Sequence, residues 1–190
     1  MVQRRRTADN ALRRELSASV EHISSASADE VYDVLADLRS HAIWGGERQS
    51  ESTRLLTIDA PESEAVVGTE FGSTGADPMG RFTDRSVVTS AIRPSVFEFV
   101  TEAELETKRG AHAVWTNVHR YELRPQGEGT TIAYTITIAR ISALPGIMRV
   151  FNVPGLSALA MKASTSVPRR GLQNLAQLAE ERATARGRRR

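Results

Sequence analysis

The chain has 190 residues, 40% apolar and 25% charged, with a formal net charge of +2. That is enough for one domain with a sizeable core and an ordinary soluble composition. It has no cysteine, which excludes disulfides, thiolate nucleophiles and cysteine-based zinc sites. The charge is uneven. Arg4, Arg5, Arg6, Arg13 and Arg14 crowd one end and Arg182, Arg186, Arg188, Arg189 and Arg190 the other, so the stretch between them is net acidic. The expected organisation is a disordered basic tail (1–14), one domain (15–184) and a second basic tail (185–190). An acidic domain argues against specific nucleic-acid binding. No apolar leader follows the N-terminal arginines. The longest apolar stretch, 141–161, is broken by Pro145, Arg149 and Pro154, short of the roughly 20 apolar residues a membrane span needs. A cytoplasmic protein is the expectation.

The first strand is expected over Glu15–Ile23, with Leu16, Ala18 and Val20 alternating and Ile23 out of step. Ser24, Ser25 and Ser27 then offer helix caps, with Asp29 and Glu30 where the helix dipole favours acids. Val31, Val34, Leu35 and Leu38 fall at helical spacing, so a short helix should end near Arg39–His41, with Trp44 just beyond. From there the period changes to two. Strands are expected over Thr53–Ile58, Gly68–Ser73, Arg81–Ile92, Ser95–Leu105, His112–Leu123 and Thr130–Ile141. The run from Pro125 to Gly129 marks a turn. Clean alternation means one buried and one wet face, as in an antiparallel sheet. After residue 141 the pattern turns helical over Gly155–Lys162 and again through Leu172, Leu175, Ala176 and Leu178. Pro168 implies either a kink or a new helix capped by Ser166. Helices at the start and end around a block of strands give an α+β class, with about six to seven strands curved around a long C-terminal helix.

Five segments in order, SVEHISSASADEVYDVLADLRSHAIW, VVGTEF, SVVTSAIRPSVFEF, YELRPQGEGTTIAYT and GLQNLAQLAEERA, resemble the Bet v 1-like, START-related superfamily (SRPBCC). Within it they are most similar to the polyketide cyclase/dehydrase and lipid-transport branch. The resemblance covers roughly residues 17–184 and implies a helix-grip fold with a cavity between sheet and helix. Segment 141–161 is more apolar and more broken than a plain strand-to-helix link. It would lie near the cavity mouth, as a lid, a partner surface, a membrane-touching element or an ordinary buried helix start.

Motifs for nucleophile elbows, phosphate loops, zinc proteases and dinucleotides are absent, so no cofactor is expected. His112 and His119 are an odd number of residues apart on one strand and point to opposite faces, and His22 and His41 lack ligand spacing; no metal site is expected. Trp115, Asn117, His119, Tyr121 and Leu123 share one strand face, and Tyr134 lies among isoleucines on the next. Asn117, His119 and Tyr134 are the thin polar set able to orient a ligand, and His119 is the candidate for proton transfer. Trp44, Phe97, Phe99, Trp115 and Tyr121 complete the expected ligand-contacting residues. Asp84 and Arg85 are neighbours on a strand, so at most one enters the interior. Three functions follow: binding a hydrophobic small molecule (a lipid, quinone or polyketide-like compound); a cyclase or dehydratase acting by positioning; or a protein- or membrane-interaction module using 141–161.

Overall fold

The computed structural model describes residues 15–51, 53–108, 110–141, 153 and 165–188. Ser27 starts the first helix, α1 (Ala28–Ala36), with a capping box. The Glu30 backbone N–H donates to Ser27 Oγ at 3.4 Å, and the Ser27 backbone N–H donates to Glu30 Oε2 at 2.8 Å. Val31, Tyr32, Val34, Leu35 and Ala36 are buried. The helix ends at Ala36, earlier than the spacing through Leu38 suggests. A tight turn at Leu38–Ser40 and a wide helical turn at Ile43–Glu47 follow instead. Side chains stop α1 by taking the carbonyls its last turn leaves free. Ser40 Oγ donates to the Val34 carbonyl at 2.7 Å, and His41 Nε2 to the Leu35 carbonyl at 2.9 Å. At Gly46 an added Cβ would sit 2.9 Å from the Leu55 carbonyl oxygen, so the wide turn and the next strand can meet only at glycine.

Among the described residues, seven strands form one antiparallel sheet: β1 (Leu16–Ser24), β2 (Arg54–Asp59), β3 (Glu70–Ala76), β4 (Gly80–Ile92), β5 (Val96–Thr107), β6 (His112–Gln126) and β7 (Gly129–Ile141). Their spatial order is β1-β7-β6-β5-β4-β3-β2, so the first and last strands lie side by side. The expected strands are present, with ends shifted by up to three residues. Ile23 faces solvent, as its broken alternation implies. The Pro125–Gly129 turn tightens to Gly127-Glu128, with Gly127 at φ +61. Three strands each carry one residue with no partner across the ladder: Leu56 in β2, Thr89 in β4 and Ala139 in β7. Such bulges bend a sheet and increase its twist.

The last helix, α2 (Ser166–Gly187), begins afresh, with Pro168 in its first turn where a missing N–H costs nothing. Ser166 is its first helical residue rather than its cap, and Thr165 before it makes no side-chain cap bond. Leu172, Leu175, Ala176, Leu178 and Ala179 form the buried stripe against α1, β1 and the wide turn. Each buried leucine contributes about 1.5–3 kcal/mol. Polar clamps fix the helix at two points along its length. Asn174 Nδ2 donates to the carbonyls of Trp44 and Arg48, both at 3.0 Å. Glu180 Oε1 accepts from Ser24 Oγ and the Ser25 N–H, both at 2.8 Å. Residues 185–187 of the expected C-terminal tail belong to this helix, and Arg186 pairs with Asp33 at 2.7 Å. The expected N-terminal tail, the expected helix over Gly155–Lys162 and segment 141–161 (Ile141 and Val153 apart) lie outside the described residues. Among those described, no helix is long and apolar enough to cross a membrane.

The arrangement is a helix-grip fold: a curved antiparallel sheet closed by a long C-terminal helix. Its interior is unevenly filled. Near α1 it is solid, with Leu35, Phe97, Ile132 and Leu175 fully buried. Further along the same strands it opens into a cavity.

Candidate functional site

Strand register decides which side chains meet in the cavity. On the concave face Phe99 pairs with His119, Tyr121 with Tyr134, and His119 with Ile136. On the neighbouring strands Ser73 pairs with Asp84, and Ser86 with Thr101. These residues line a cavity of about 440 Å³, which His41 and Trp44 from the turns after α1 and Gly171 and Leu172 of α2 also border. That volume suits a small organic molecule. Leu55, Ile58, Ile138 and Val167 also line it, and Val167 is the most exposed of the four.

The walls are mostly aromatic. Phe99 stacks on His119 at 4.6 Å and 12°, and Tyr121 lies 4.6 Å from Tyr134. Trp44 sits 4.6 Å from His41, and Phe71 meets Phe99 edge-on at 5.3 Å. Polar groups among these rings are few, and burial favours the neutral forms of the two histidines and two tyrosines. His119 Nδ1 is 2.7 Å from Tyr134 Oη. Burial lowers the His119 pKa to about 4, aided by the nearby His41. His41 is likewise lowered to about 4 by burial, against the Leu35 carbonyl and Asp37, which favour its charged form. The Leu35 carbonyl can only accept, so the His41 proton sits on Nε2. Burial pushes the phenols of Tyr121 and Tyr134 up.

A second polar group lies across the sheet. Asp84 Oδ1 accepts from the Ser73 N–H at 3.0 Å and from Ser73 Oγ at 2.8 Å. Ser86 and Thr101 share a hydrogen bond of 2.8 Å. Burial raises the Asp84 pKa, and only the two Ser73 bonds oppose it. Trp44 Nε1 and Gln49 Oε1, on two lining side chains, are buried without partners among the described residues. Each such atom costs about 1–3 kcal/mol.

Of the residues expected to contact ligand, Trp44, Phe99, His119, Tyr121 and Tyr134 line this cavity; Phe97, Trp115 and Asn117 are not among its described lining residues. Phe97 sits in the solid part of the core, edge-on to Tyr32 at 5.9 Å. Trp115 and Asn117 lie further along β6, beyond His119, and Asn117 Oδ1 is buried without a described partner. Sequence reasoning left His41, Gln49, Ser73, Ser86 and Thr101 unassigned and weighed Asp84 without choosing it. The signal for four of them was strand parity: Ser73, Asp84, Ser86 and Thr101 share inward parity with Phe71, Val88 and Phe99. His41 and Gln49 lie in irregular turns, where no period marks an inward side.

The family model for polyketide cyclase/dehydrase and lipid transport matches residues 15–180. The chain belongs to that family. No curated protein matches the sequence. Among solved structures, the chain is similar to protein CV1439 from Chromobacterium violaceum, at 13% identity and a TM-score of 0.57, over 86% of this chain and 96% of that one. Protein Mll3558 from Rhizobium loti matches at 18% identity and a TM-score of 0.55, over 86% and 96%. The ginseng major latex-like protein 151 from Panax ginseng matches at 11% and 0.52, over 87% and 97%. These likenesses establish the shared fold.

Proposed function

We propose that this family member binds a hydrophobic small molecule, of lipid, quinone or polyketide-like character, inside the cavity. The carrying observation is the partly open hollow of about 440 Å³ walled by Trp44, Phe71, Phe99, Tyr121 and Tyr134. A well-packed interior leaves few voids larger than a water molecule, so a hollow of this size beside a solid half-core supports a ligand site. A cytoplasmic place of action belongs to the same proposal. Native mass spectrometry of protein purified from its own host tests it. A retained apolar compound, released by Ala18→Leu, which narrows the lining on β1, is the expected result. Mass spectra without adduct, together with a hydrophobic compound panel that leaves the melting temperature unmoved, overturn the reading.

The cyclase/dehydratase reading draws on one observation, the hydrogen-bonded His119–Tyr134 pair on the cavity wall. An imidazole with a pKa of about 4 is a weak base at neutral pH, and the raised phenol is a weak acid. The pair therefore suits orienting a ligand better than moving its protons, and binding is the stronger reading. An interaction role for 141–161 concerns residues outside the described ones.

A further inference from the structure

Asp84 places a carboxyl group on the wall of the cavity. It stands on β4 with its side chain on the concave face, and its Oδ1 takes both hydrogen bonds from Ser73. No described residue donates to Oδ2, and Asp84 is one of the residues that line the cavity. Two residues along the same strand face, the Ser86 hydroxyl shares its bond with Thr101. A carboxyl and these hydroxyls thus form one polar pole of the cavity, across the sheet from the His119–Tyr134 pair.

No lysine or arginine appears among the described lining residues. A carboxylate ligand, such as a fatty acid, would bury a second negative charge beside the Asp84 carboxylate with no cation among the described lining residues to offset either. An ammonium group reverses every term. It pairs with the Asp84 carboxylate, donates to the Ser86–Thr101 oxygens, and is favoured by the faces of nearby aromatic rings.

We propose that the cavity takes a cationic, amine-bearing ligand, with its ammonium seated at Asp84 and the Ser86–Thr101 pair and its apolar body against Phe71, Phe99 and the tyrosines. This rests on the cavity being a hydrophobic binding site, and it narrows the class from lipids in general to apolar amines.

Three fluorescent probes that share one pyrene body test it on the full chain: 1-pyrenemethylamine, 1-pyrenemethanol and 1-pyrenecarboxylate. On the native protein the amine is expected to bind about tenfold or more tighter than either of the others. Asp84→Asn, which keeps an acceptor for Ser73, is expected to remove that advantage, so that the amine and 1-pyrenemethanol bind the variant within about twofold of each other. Carboxylate or alcohol binding as tightly as the amine overturns the proposal, as does an Asp84→Asn protein that retains the amine preference. The ranking on the native protein is decisive without the variant. Failure of 1-pyrenemethanol to bind the native protein at all overturns the hydrophobic-site reading itself, and the amine preference with it.

Discussion

His119 Nδ1 and Tyr134 Oη are 2.7 Å apart although their backbones are not partners: His119 faces Ile136, and Tyr134 faces Tyr121. The bond runs diagonally across the β6–β7 ladder, a reach that long ring side chains can make. Tyr134→Phe removes the partner and leaves the buried imidazole nitrogen alone. The expected loss is about 1–3 kcal/mol in urea denaturation, with the sheet unchanged by circular dichroism. An unchanged midpoint would show that the bond contributes nothing to stability.

The buried histidines make the fold acid-sensitive. His41 and His119 have folded pKa values of about 4, below the ordinary 6.5. Above pH 6.5 both folded and unfolded chains keep them neutral. As pH falls from 6.5 towards 4, the unfolded chain takes up protons that the folded one refuses, and stability declines. Each histidine accounts for about 3 kcal/mol across that window. Denaturation midpoints measured from pH 8 to pH 4 should fall steeply, and His119→Gln should flatten the slope.

Asp84 works in the opposite sense. Its folded pKa is raised, so the stability tied to its protonated form is present below the ordinary 3.8 and is lost as pH rises through the folded value. Asp84→Asn should therefore stabilise the ligand-free protein at neutral pH, by a margin that shrinks as pH falls. A variant less stable than the native protein at pH 7 would mean that the carboxylate is compensated.

Arg93 gathers a surface network. It pairs with Asp29, Asp33 and Glu64, and its guanidinium lies 5.1 Å above the Tyr32 ring. Asp33 is also held by Arg186, which ties α1 to the last turn of α2. The Arg93 side chain is 40% exposed, so solvent screens these pairs. Arg93→Ala is expected to cost about 1 kcal/mol, and less in high salt. A double-mutant cycle with Asp33→Ala checks whether the two are coupled.

The fold was legible because two periods separate cleanly along the chain: the 3.6-residue spacing of Val31, Val34 and Leu35, and the alternation from Ile132 to Ile138. The cavity was legible only in part. Phe97 and Phe99 have the same parity, but Phe97 lies under α1 and Phe99 beyond its end. Periodicity says which face a residue is on, not how far along the strand the covering helix reaches. The same limit separates Trp115 and Asn117 from His119. His41 was invisible for another reason: the helix stops short, and a hydrogen bond to the Leu35 carbonyl, not a spacing, turns the ring inward. Asp84 stayed unassigned because its adjacency to Arg85 says only that at most one of the two turns inward, and it is the carboxyl that does so.

The bulge at Ala139 acts as a phase marker in β7. Ile138 and Ile141 both point inward although they are an odd number of residues apart, because Ala139 occupies a place with no counterpart on β6. Deleting Ala139 would leave Arg140 outward and Ile141 inward, the orientations they already have. Deleting any residue between Ile132 and Ile138 would instead turn every side chain on one flank to the wrong side of the sheet. Leu56 and Thr89 hold the same position in their strands. The sheet therefore has three places where its length can change by one residue without rewriting its interior.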